Sequence, residues 1–167
     1  TEYRTMGFMP EALLNYLVRL GWSHGDDELF DDDQARAWFD LPGIGKAPAR
    51  LDFKKLEHVS SHHIAAMSDD ALMAEIEAFL TATGQPALDA TQRSRLVPAL
   101  GALKQKARTL PQLLEQVHFA LTGRPVQPDE KAAGSLDPVS VGILSELTAA
   151  LQHAKWNRDE LEAAAQR

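Results

Sequence analysis

Apolar residues recur every three or four positions along almost the whole of this chain, and helix start and stop signals bracket the runs that carry them. Pro10 suits the first turn of a helix running to Leu20, with Leu13, Leu14, Leu17 and Val18 in one stripe and Gly21 as the stop. Asp31 and Gln34 have capping-box spacing and begin a short helix with Ala37, Trp38 and Phe39. Asp52 caps a third, along which Leu56, Val59 and His63 are spaced. Ser68, Asp69 and Asp70 open a helix whose Leu72, Ile76, Phe79 and Leu80 precede Gly84. Asp89 or Thr91 starts the next, which Pro98 should kink or split. Thr109 and Pro111, Asp137 and Pro138, and a capping box of Asn157 with Glu160 mark three further starts. No alternation of period two and no hairpin signal interrupts this pattern, so the expected fold is all-α.

The 167 residues suffice for one ordinary domain or two small ones with a real core. A soft boundary is expected near Ala65 to Ser68, dividing residues 1–66 from 67–167, and the Pro/Gly-rich stretch Leu41–Ala49 reads as a loop. The last helix stops at Arg167 without a C-terminal signal, which points to a boundary inside a longer polypeptide. No run approaches the roughly 18 apolar residues of a membrane span, and the first residues lack the layout of a signal peptide. With no cysteine, thiolate metal sites, disulfides and cysteine nucleophiles are excluded; a reduced, cytoplasmic setting fits.

Most candidate chemistry fails on inspection. His58 and His62 have the four-residue spacing of two metal ligands, but Val59 stands where a zinc protease has its glutamate, and no third ligand is evident, so no metal site is expected. The acidic run Asp26–Asp33 lacks the ligand alternation of a calcium loop and reads as a solvated turn. Gly43–Lys46 has neither Walker spacing nor a preceding strand, and Ser60 and Ser61 form no nucleophile set. No catalytic residue is assigned.

The basic residues are more informative. The net charge is −7, from 24 acidic and 17 basic residues, which argues against bulk attraction to polyanions unless the cations are gathered. They are gathered twice. Arg93, Arg95, Lys104, Lys106 and Arg108 lie between Ala90 and Leu114 without an acidic residue among them. Lys104 and Arg108 are four apart, the spacing of one helix face. Lys46, Arg50, Lys54 and Lys55 form a second group around the loop and the helix start that follows. Either group can hold phosphates, or simply solvate a helix.

The run from Tyr3 to Leu17, continuing into Leu20-Gly21-Trp22-Ser23, closely resembles bacterial glutamyl-tRNA synthetases, class I aminoacyl-tRNA synthetases. Asp52–Leu56, His62–Ile64 and Lys104–Leu110 extend the likeness to essentially the whole chain. The resemblance implies the C-terminal tRNA-binding portion of such a ligase, inactive alone because the HIGH-type and KMSKR-type ATP motifs of the catalytic domain are absent. Residues 1–66 would be a stem-contact helical region and residues 67–167 the first anticodon-binding helical bundle, the second bundle being truncated. ATP with magnesium would serve the full-length enzyme, and this part would carry no cofactor. The implied partner is tRNA(Glu), bound by a monomer without a membrane. Lys104, Lys106 and Arg108 would approach the anticodon, and Lys46, Arg50, Lys54 and Lys55 the inner side of the stems. Lys106 falls where the family often has an arginine, and lysine cannot make its planar fork. His58 and Ser60 likewise replace an aromatic residue and an asparagine. A protein-interaction module without nucleic-acid specificity, or a synthetase with relaxed choice between glutamate and glutamine tRNAs, are the competing readings.

Overall fold

A computed structural model describes residues 2–46, 48–123 and 125–166. Helices α1 (Glu2–Thr5), α2 (Pro10–Gly21), α3 (Asp32–Trp38), α4 (Phe53–Ala66) and α5 (Asp69–Ala82) occupy the first half. Helices α6 (Ala90–Leu96), α7 (Leu100–Leu103), α8 (Leu110–Leu121), α9 (Glu130–Gly134), α10 (Pro138–His153) and α11 (Arg158–Ala165) complete the chain. Among the described residues there is no strand, only the isolated bridges Trp22–Ile44 and His24–Asp27, so the all-α expectation holds.

The sequence signals act where expected. Asp31 and Gln34 close a reciprocal capping box at α3, and Asp89 and Gln92 another at α6. Ser68 caps α5, accepting from Ala71 N–H, while Asp137 accepts from Val139 and Ser140 at α10. Pro98 splits its helix, leaving a 3-10 turn at Val97–Ala99 between α6 and α7. Asn157 accepts from Glu160 N–H, but its own N–H goes to Lys155 O, so that cap is one-sided.

Two compact units form, Thr1–Gly123 and Arg124–Arg167. The link between α4 and α5, where the 66/67 boundary is expected, lies inside the first of these units. Leu56 and Ile64 of α4 share one core with Leu72 and Ile76 of α5, and that core extends to Leu113 and Val117 of α8. Apolar burial of this kind resists division at a two-residue link. In the second unit no described residue is buried; α10 leaves Val139 and Ile143 exposed.

The stripe expected on α2 is corrected. Its buried face carries Ala12, Asn15 and Tyr16, whereas Leu14 and Leu17 are exposed. The reason lies in polar partners distant in sequence. Tyr16 Oη accepts from Asp52 N–H at 2.6 Å. Asn15 Nδ2 donates to Glu28 O at 3.1 Å, and its Oδ1 accepts from Phe30 N–H at 3.3 Å. These bonds turn the Asn15–Tyr16 face inward, since a buried amide or phenol without partners is costly.

Candidate nucleic-acid interface

The bond from Asp52 to Tyr16 pins the start of α4 against α2, and the Asp52 carboxylate in turn accepts from Lys54 N–H at 2.9 Å and Lys55 N–H at 3.4 Å. Between the two helices this leaves a concavity of about 710 Å³. Its apolar lining comes from Tyr16, Leu20, Leu51, Phe53 and Val59. Arg19, Arg50, Lys54, Lys55 and His58 supply its basic side, and Glu28 and Asp52 its acidic one.

Both acids are engaged. Glu28 Oε1 meets Arg19 Nη2 at 3.0 Å, and Asp52 is held by the first-turn amides of α4. Arg50, Lys54 and Lys55 have no ion-pair partner among the described residues, so their charge faces solvent and whatever enters the groove. The structure thus brings together three of the four residues of this group. Lys46, exposed in the preceding loop, does not line the concavity. Arg19, which the sequence did not single out, and His58, which it weighed only as a metal ligand and as a substitute for an aromatic residue, both do. Tyr16, Arg19 and Leu20 lie three and four apart on α2, a helical-face signal that the neighbouring leucines obscured.

The other basic group behaves differently. Helix α7 ends at Leu103, so Lys104 and Arg108 lie in a turn and do not share a helix face. Lys104 Nζ donates to Met67 O at 2.8 Å and to Asp69 Oδ1 at 2.7 Å, and its side chain is only 16% exposed. Arg108 Nη1 lies 3.2 Å from Glu57 Oε2, while its backbone N–H donates to Gln112 Oε1. Arg93 pairs with Glu77, and Arg95 donates to Ala120 O. Lys106 is exposed and has no ion-pair partner among the described residues.

His63 is drawn into the frame behind this surface. Its Nε2 lies 3.1 Å from Asn15 Oδ1. Burial, reinforced by the neighbouring His62, pushes its pKa below the ordinary histidine value against the opposite pull of Glu11, Asp32 and Asp31. Among the described residues no group of three or more His, Asp or Glu side chains is arranged to hold a metal ion. Among the described residues no helix is long and apolar enough to cross a membrane.

A helical scaffold here presents gathered, unpaired cations beside an apolar concavity, an arrangement that can hold phosphates. Residues 62–167 match the family described as Anticodon binding domain, and the chain belongs to that family. It is 69% identical over 164 residues to "Glutamate--tRNA ligase 2" of Paracoccus denitrificans, covering 98% of this chain and 35% of that protein. It is 59% identical over 162 residues to "Glutamate--tRNA ligase 2" of Roseobacter denitrificans, again covering 35% of it. The chain thus spans about a third of the length of these relatives. A crystal structure of a glutamate tRNA ligase from Elizabethkingia meningosepticum has the same fold, with a TM-score of 0.72 at 23% identity over 97% of this chain and 32% of that one.

Proposed function

We propose that this chain is the tRNA-recognising part of a glutamate–tRNA ligase, acting on tRNA(Glu) in protein synthesis. The family match over residues 62–167 carries the reading, and the unpaired cations of the α2–α4 groove support it in a protein whose net charge is −7. Residues 1–66 form the stem-contact region, with Arg50, Lys54 and Lys55 of the groove and Lys46 of the loop on the RNA backbone. Residues 67–167 read the anticodon arm through the segment Lys104–Arg108. There Lys106 is the free donor, and the ion pairs of Lys104 and Arg108 hold the turn that presents it. A lysine at that point donates to a base or phosphate without the bidentate geometry of arginine. Activation of glutamate with ATP and magnesium belongs to the rest of such a ligase. The chain alone is a monomer without aminoacylation activity, working in the cytoplasm.

The test is a titration of a glutamate tRNA transcript at several salt concentrations. Each phosphate contact contributes about −0.7 to −0.9 to the slope of log K against log[salt]. Replacing Arg50, Lys54 and Lys55 by alanine is expected to weaken binding at least about tenfold at low salt and to flatten the slope by about two units. Wild-type affinity and slope in that variant would overturn the stem assignment.

A further inference from the structure

The groove between α2 and α4 is more than a charged surface, because its cations stand around an apolar lining. Phe53 is 47% exposed, faces the concavity, and is backed by Tyr3, whose ring centroid is 6.4 Å away at an interplanar angle of 29°. Leu20 and Leu51 also line the concavity. A paired RNA stem is convex and keeps its bases inside, so it can use Arg50, Lys54 and Lys55 but not this lining. An unpaired nucleotide uses both, its phosphate on the cations and its base against an aromatic face. The volume of about 710 Å³ is ample for one nucleotide. The two carboxylates present offer little repulsion, being occupied by Arg19 and by the α4 amides.

We infer that this groove receives one unpaired, outward-turned nucleotide of the bound RNA, with its base on Phe53 and its phosphate on Arg50, Lys54 and Lys55. This rests on the tRNA reading above, and the test separates the two. The 167-residue chain is titrated with a glutamate tRNA transcript and with a fully paired RNA duplex of equal phosphate number, for wild type, F53A, F53Y and K54A/K55A, with circular dichroism confirming the fold of each. F53A is expected to lose about tenfold affinity for the transcript and less than about twofold for the duplex, since base–aromatic stacking is worth about 1–3 kcal/mol. F53Y, which keeps the aromatic face, is expected to bind as wild type. Unchanged transcript binding by F53A, or equal losses on both RNAs, would overturn the inserted nucleotide while leaving the stem contact standing if K54A/K55A weakens both. If K54A/K55A weakens neither, the tRNA reading of the groove fails with it. Equal displacement of the transcript by a poly-glutamate peptide of matched charge would likewise overturn the inference, because such a groove would select charge and not a base.

Discussion

Ser60 is fully buried on α4, and its hydroxyl has no hydrogen-bond partner among the described residues. A buried hydroxyl without a partner costs about 1–3 kcal/mol, and alanine is also the better helix former. Ser60→Ala is therefore expected to raise stability by about 1 kcal/mol in a chemical denaturation. A loss of similar size would mean that the hydroxyl is bonded in solution. Two glycines are fixed by a different constraint. Gly7 has φ +77°, and a Cβ there would fall 2.2 Å from Pro111 Cδ, where the Gly7 carbonyl accepts from Leu110 N–H. Gly43 packs so closely beneath Trp22 that a Cβ would stand 2.5 Å from the indole nitrogen. Neither approach is legible locally, because each partner arrives from a distant part of the chain.

Lys104 shows where an element-level reading succeeds and where it stops. Caps and periodicity located the long helices because those signals are local: an aspartate accepts amides two or three residues on, and an apolar face repeats with the turn. After Leu103, however, the residues Lys104-Gln105-Lys106-Ala107-Arg108 favour helix and contain no glycine or proline. The helix ends there all the same. The Lys104 ammonium is held at the junction of α4 and α5 by Met67 O and Asp69, while Ala107 and Thr109 are buried. Tertiary contact overrides propensity, and the cation expected on a free face becomes a brace. The same holds for Arg108, held by Glu57, 51 residues earlier. Because a hydrogen bond to a charged group is worth about 1.5–3 kcal/mol, Lys104→Met is expected to destabilise the fold by about 1–2 kcal/mol, read as a lowered midpoint in urea. An unchanged midpoint would show the brace to be energetically idle. The groove cations Arg50, Lys54 and Lys55 were legible because clustered charge is visible in composition, whereas Arg19 and His58 required the α2–α4 packing that only the fold supplies.

At the scale of the whole molecule, the first unit depends on a polar tie as well as on its core. Asn15 of α2 holds the segment before α3 through Glu28 O and Phe30 N–H, and α4 through His63. With Asn15 Oδ1 accepting from Phe30, the His63 Nε2 carries the proton and donates, so the neutral ring satisfies the network. Burial and the nearby His62 disfavour a second proton, and Glu11, Asp32 and Asp31 only partly offset them. The folded pKa therefore lies below the unfolded value of 6.5. As pH falls through 6.5 the unfolded chain takes up a proton before the folded one does. Stability is then lost over the window between 6.5 and the depressed folded value, and levels off below it for this group. His63→Gln keeps a donor near Asn15 and removes the titration. The unfolding free energy of wild type minus that of the variant, measured from pH 7.5 down to 5, is expected to decrease as acid is added. Every group common to both proteins cancels in that difference. A flat difference would mean that His63 titrates alike in both states, and an increase toward acid would mean that the carboxylates outweigh burial and hold it charged in the fold.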